Sequence, residues 1–268
     1  MHVHFLDPYR ALHSAIHELD ARLKFGLTLA FIITCSLMPV AAWPAYVLLF
    51  ALVLSLEILS GLGIAYVMKR AALAFPFALA AFPVIFGNEG TQLARLHLFG
   101  IPMAITLEGL ERFASIALKS WLSVQAAIVL AATTPFPELL QAMRAVGVPK
   151  LLVAMSGLMW RYLFVLVNEA VRLMRARTAR SGKSSLPELR PGGALPWRAQ
   201  VAGGMAGSLL LRAFERSERI HVAMLSRGYD GETRSLPLPA FSAFSRRALI
   251  TGLAVLGLLL LVGLAFGS

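Results

Sequence analysis

Long apolar runs alternate with short charged breaks along this chain, and the length of each run predicts an element. Residues 25–68 hold a single charge, Glu57, over 44 positions, about twice the roughly 20 needed to cross a hydrocarbon core. Two spans fit, parted at residues 39–44, where Pro39 and Pro44 interrupt helical hydrogen bonding and Trp43 suits the lipid–water interface. Residues 71–88 are 18 uncharged positions, kinkable at Pro76 and Pro83, and predict a third span. Residues 113–132, interrupted only by Lys119, predict a fourth, and the 21 uncharged positions 248–268 a fifth. The pattern is that of an all-α integral membrane protein with about five transmembrane helices.

Between the fourth and fifth spans the pattern changes. Thr133, Thr134 and Pro135 can start a helix, Glu138 suits the positive end of its dipole, and Leu139, Leu140, Met143 and Val146 recur at helical spacing before Gly147-Val148-Pro149 stops it. A second helix is predicted from Lys150 to the breaker Ser181-Gly182, some thirty residues or about 45 Å. It is apolar over 151–168, apart from Arg161, and basic from Arg172 to Arg180. Residues 184–196, with Pro187, Pro191, Gly192, Gly193 and Pro196, read as a linker. A third helix is predicted from about Arg198 to Arg227, with Gly203 and Gly207 spaced for close approach of another helix, before Gly228 lets the backbone leave. The chain thus divides into 1–132, a tail and four spans; 133–247, a membrane-flanking region of long helices; and 248–268, a closing span.

Composition agrees. Hydrophobic residues make up 58% and charged residues only 15%, against about a quarter charged in ordinary soluble domains, and the mean hydropathy is +0.72. The net charge of +11 admits nucleic acid, anionic lipid or membrane topology as its cause, and position decides between them. Residues 133–247 carry 17 basic and 7 acidic residues, and with the amino terminus inside, 22 of 25 Lys and Arg fall on the cytoplasmic side. That matches the excess of basic residues in cytoplasmic segments. If 151–168 crossed as a sixth span, the 14 basic residues from Arg172 to Arg247 would lie outside, so this stretch is read as lying along or just under the membrane. A multi-pass protein of the cytoplasmic (inner) membrane is predicted, its amino terminus and long segment cytoplasmic. The charged first 24 residues, with no apolar core, predict no cleaved signal peptide. The single cysteine, Cys35, offers no disulfide framework.

Both long cytoplasmic helices end in a small residue, an arginine and a nearby glycine: Ala179-Arg180-Ser181-Gly182 and Ser226-Arg227-Gly228. An arginine at a helix end is a planar fork of donors on a narrow tip, suited to a partner's carboxylate in a groove. Taken singly, such an arginine more often neutralises its helix dipole or meets a lipid phosphate; the duplication favours docking, and two tips suit a dimeric partner.

The chain resembles the transmembrane T component of energy-coupling-factor (ECF) transporters, the CbiQ/EcfT family, and within it the cobalt type. The resemblance covers nearly the whole chain. It rests on Ser14-Ala15-Ile16-His17-Glu18-Leu19-Asp20-Ala21-Arg22-Leu23-Lys24, Thr133-Thr134-Pro135, Gly147-Val148-Pro149-Lys150, Arg161-Tyr162 followed by Glu169, and the two arginine tips, in that order. It implies a non-catalytic scaffold between a substrate-capturing S component, CbiM-like with a small CbiN-like companion, and a dimeric ABC ATPase of the CbiO kind. It implies that Arg180 and Arg227, flanked by Ala179, Ser181, Ser226 and Gly228, dock into grooves of that ATPase. Ser181 stands where the family often has glycine, and Ser226 where it usually has alanine. No cofactor is expected on this chain, ATP being bound by the partner; the G-x-x-x-x-G-K-[ST] phosphate loop is absent. The transported ion is expected to be cobalt, with nickel as the alternative.

Other candidates weigh less. His2 and His4 alternate, and His13 and His17 lie one turn apart, but no carboxylate–histidine set is complete, and they are read, with His97, as surface residues rather than a metal site. Glu57 and Lys119 are costly inside a membrane and so functional suspects; a mutual ion pair and a snorkelling lysine are the plainer readings. Nucleic acid is excluded as a partner because the basic segment lacks aromatic stacking platforms. A conventional ABC-importer permease and an integral-membrane enzyme are the alternatives; the first is disfavoured by two separate arginine tips, the second by the lack of H-E-x-x-H or paired acidic motifs.

Overall fold

The computed structural model describes residues 8–86, 92–98, 101–180, 194–231 and 240–266. The chain divides into two compact units, one of Pro8–Gly147 with Leu238–Ser268 and the other of Val148–Pro237.

In the first unit, α1 (Ala21–Leu37) starts where the Asp20 carboxylate accepts a hydrogen bond from the Arg22 N–H at 2.9 Å, a side-chain cap for an otherwise orphaned donor. Helix α2 (Trp43–Ser60) opens with Pro44 in its first turn, where a missing N–H costs nothing. Helix α3 (Ile64–Ala71) is short and ends on Lys69 and Arg70.

The predicted third span, 71–88, is not one helix. It is a 3₁₀ turn at Ala72–Ala74, the five-residue α4 (Phe75–Leu79) and a second 3₁₀ turn at Phe82–Ile85. Pro76 and Pro83 each stand in the first turn of their piece, where proline is tolerated, and neither can continue the helix before it. The pieces pack on α5 (Leu107–Thr133). Strands β1 (Gln92–Leu98) and β2 (Ile101–Thr106) pair antiparallel, from Leu98 opposite Ile101 to Gln92 opposite Thr106 with an irregularity between Gln92 and Ala94. The span pattern predicted no strand here.

Helix α5 begins six residues ahead of the predicted span because the Thr106 hydroxyl accepts from the Gly109 N–H at 3.2 Å. A Cβ at Gly109 would stand 2.6 Å from the Ile85 carbonyl oxygen, so only glycine lets the second 3₁₀ turn lie this close. Helix α6 (Phe136–Ala145) is the predicted amphipathic helix, with Pro135 as its N-cap; Thr133 instead closes α5, its hydroxyl donating to the Val129 carbonyl. Helix α9 (Ala243–Phe266) returns to pack on α1 and α2. Phe31, Cys35, Met38, Tyr46, Leu49, Val53, Leu122 and Leu256 form the core of this unit, and Leu62, Val67, Val129 and Ala132 a second cluster.

The second unit is a pair of 31-residue helices, α7 (Lys150–Arg180) and α8 (Leu195–Leu225). Helix α8 starts ahead of the predicted Arg198 because Pro196 fits its first turn; most of the predicted linker and Ser181-Gly182 lie outside the described residues. Among the described residues α7 buries only Ala154 and α8 buries none. Within this unit, no atom of the described residues lies within 4 Å of the space a Cβ at Gly203 or Gly207 would fill.

Among the described residues four helices are long and apolar enough to cross a membrane, α2, α5, α7 and α9, and α1 has 17 residues. The chain is an all-α membrane protein with one small hairpin.

Candidate functional site

The two arginine tips end differently. Helix α7 continues through Ala179 and Arg180, both exposed, to the end of its described residues; Ser181 lies outside them. Past α8, the Tyr229 N–H donates to the Met224 carbonyl and the Gly228 N–H to the Leu225 carbonyl, each at 3.0 Å, with Gly228 at φ +78°. This six-to-one and five-to-two pair is a Schellman closure, which needs a left-handed residue in the place Gly228 takes. Ser226, Arg227 and Gly228 are all exposed, and the Ser226 hydroxyl turns back onto the Ala223 carbonyl at 3.0 Å. A serine in this place therefore adds no outward donor beside Arg227. Arg180 and Arg227 form no ion pair among the described residues.

What joins the two helices was not predicted. Glu169, in the second half of α7, reaches Arg212 and Arg216 of α8, each at 3.3 Å. The two arginines stand four apart on one face of α8 and grip one carboxylate from two sides. Toward the Arg227 end of α8, and beside the amino-terminal half of the antiparallel α7, lies a cleft of about 300 Å³ with Tyr162, Leu166, His221 and Tyr229 in its walls. The signal in the sequence was Glu169 itself, an isolated acid in a long basic helix, but its partners are 43 and 47 residues away.

The structure does not bring Glu57 and Lys119 together. The Lys119 ammonium donates to the carbonyls of Ser36 at 3.3 Å and Met38 at 2.5 Å, the end of α1, where free carbonyls and the negative end of the dipole favour a cation. Glu57 is fully buried, and neither carboxyl oxygen has a hydrogen-bond partner among the described residues. Lys24 answers Lys119 at the other end of the α1–α5 pair, its ammonium donating to the Thr133 carbonyl at 3.0 Å and the His17 carbonyl at 3.4 Å.

His17 has both ring nitrogens engaged, Nδ1 with the Ser14 hydroxyl at 2.7 Å and Nε2 with the Arg10 carbonyl at 3.1 Å. Burial disfavours its charged form, against the raising effect of the Arg10 carbonyl and with Lys24 and His13 acting in the same sense as burial, so its pKa lies below the ordinary 6.5. His13 is exposed, and His2 and His4 lie outside the described residues. Among the described residues no three His, Cys, Asp or Glu side chains gather as metal ligands.

Several apolar helices packed in one unit, and in the other a pair of long helices that each lead to an arginine, define a multi-spanning membrane protein. The sequence profile of the CbiQ family, described as cobalt transport protein, matches residues 13–237, and the chain belongs to this family. The energy-coupling factor transporter transmembrane protein EcfT of Thermosediminibacter oceani is 27% identical over 91% of this chain and 92% of its own length. A protein of Methanocorpusculum labreanum named as a fused cobalt transport protein CbiMQ is 27% identical over 96% of this chain and 43% of its own. An uncharacterized protein of Methanocaldococcus jannaschii is 30% identical over 59% of this chain and 55% of its own. The chain thus spans about half the length of the last two.

Proposed function

We propose that this chain is the scaffold and coupling subunit of an ECF-type importer for a transition-metal ion, cobalt first and nickel second, and is itself non-catalytic. The observation that carries the proposal is the pair of exposed arginine ends, Arg180 on α7 and Arg227 beyond α8, on helices tied to each other by Glu169. Helices gripped at mid-length move as a pair, so motion at their tips is carried along their length rather than lost in bending between them. A dimeric ABC ATPase of the CbiO kind closes on ATP and draws its two grooves together. The tips follow, and the apolar half of α7, lying along or just under the membrane, passes the movement to a CbiM-like S component, with its CbiN-like companion, which releases the ion inward. ATP stays with the ATPase, and no cofactor is bound by this chain. The fused CbiMQ relative supports an S component as the neighbour, since fusion joins chains that work in contact. The orientation proposed places the amino terminus and the tips in the cytoplasm, in keeping with the distribution of Lys and Arg.

The test is a detergent pull-down of the whole complex with Arg180→Ala, Arg227→Ala and the double variant. The double variant is expected to lose the ATPase while retaining the S component, and an ATPase retained at the wild-type level overturns the proposal. Uptake of labelled cobalt and nickel by the intact complex separates the two ions.

A further inference from the structure

A cleft of about 390 Å³ opens between α1, α2, α5 and α9, walled by apolar side chains that include Phe31, Leu56, Val129 and Val255. We propose that it holds one acyl chain of an anionic phospholipid, with the phosphate at Lys24. Three of its four walls, α2, α5 and α9, are helices able to cross a membrane, so the medium outside is hydrocarbon. An apolar cavity offers water too few partners to hold it, and a hydrocarbon chain is the filling the surroundings supply.

The walls are mainly apolar, with the Ser55 and Thr251 hydroxyls turned onto carbonyls of their own helices, and one residue in them is charged. Lys24 lines it, is 7% exposed and forms no ion pair among the described residues. Two of its ammonium protons go to the His17 and Thr133 carbonyls, which leaves the third. Burial works against its charge, and Glu138 and Asp20 favour it only through space. Arg10 is spent elsewhere, its guanidinium 3.7 Å from the centre of the Tyr66 ring, so Lys24 is the cation the cleft presents. From Lys24 to Phe31 is seven residues along α1, about 10 Å, so the lining passes from a cation to hydrocarbon along one wall. That is the polarity of a phospholipid. A zwitterionic headgroup offers the same phosphate but cancels it with its own cation, so the site favours the anionic lipid.

Native mass spectrometry of the detergent-purified full chain tests this, with equimolar phosphatidylglycerol and phosphatidylcholine of matched acyl chains. Phosphatidylglycerol is expected to be retained about fivefold over phosphatidylcholine, the effect of one basic residue at an anionic surface. Lys24→Gln, which removes the charge and keeps a polar donor, should bring the ratio close to one. Val255→Trp, on the lipid-facing wall, should fill the cleft and lower both adducts while the unfolding temperature holds. Equal retention of the two lipids by the wild type, or adducts unchanged in Val255→Trp, overturns the proposal. Displacement of phosphatidylglycerol by excess inorganic phosphate also overturns it, because the acyl chain would then contribute nothing.

Discussion

Lys119 stands in the middle of α5, yet its ammonium serves the end of α1, on the carbonyls of Ser36 and Met38. As an intramembrane charge it was conspicuous in the sequence, but its partners are backbone atoms more than 80 residues away, and backbone acceptors leave no mark in the residue pattern. Replacing it by methionine removes the donors and leaves those carbonyls without them, a loss of about 2 kcal/mol for a charge-assisted bond. Lys119→Met should therefore unfold at lower temperature in detergent, and Lys119→Arg should recover most of the difference; a melting curve matching the wild type would show the capping to be without weight. His17 supplies the pH dependence. With a folded-state pKa below the ordinary 6.5, the unfolded chain binds the proton first as pH falls, so the stability His17 contributes is full above 6.5 and is lost as pH drops through the lower, folded value. The thermal midpoint should fall on acidification below 6.5 more steeply in the wild type than in His17→Gln, and parallel profiles would remove His17 as the cause.

Hydrophobicity counts residues but does not measure the backbone, which is why the element scale brought the largest correction. Residues 71–88 are uncharged and long enough to span, but two prolines divide them into pieces of three to five residues that lean on α5. The lean depends on Gly109, where a Cβ would press within 2.6 Å of the Ile85 carbonyl. Gly109→Ala is accordingly expected to destabilise the chain by about 1–3 kcal/mol through overpacking, read as a lowered unfolding temperature, against the gain that alanine gives in an unobstructed helix. The α7–α8 pair depends on an ionic grip in place of a core. Glu169 is 18% exposed while Arg212 and Arg216 are 55% and 37%, and exposed ion pairs each contribute at most about 1 kcal/mol. Glu169→Gln should therefore leave global stability nearly unchanged but broaden the distance distribution between spin labels placed on α7 and α8. An unchanged distribution would mean that the grip does not set their spacing.

For the whole molecule the asymmetry of charge carries most of the argument. The proposed orientation is checked by single cysteines at Ala179 and Ser226, both exposed, against a low background because Cys35 is buried. A membrane-impermeant maleimide is expected to label both in inside-out vesicles and neither in right-side-out ones, and the reverse pattern would invert the topology. The order of residues alone already marks a membrane protein, locates most of its apolar helices, concentrates its charge in residues 133–247, and ends two helices there in arginine. Those properties are sums over local positions, and burial in hydrocarbon and helix breaking act on local positions. Packing in three dimensions is what makes Lys24 and Lys119 cap each other's helices, leaves Glu57 without a hydrogen-bond partner among the described residues, ties α7 to α8 through Glu169, and opens a cleft among four helices. Each of these depends on which distant atoms the chain brings within about 3 Å, a condition that packing sets and that no periodicity along the sequence records.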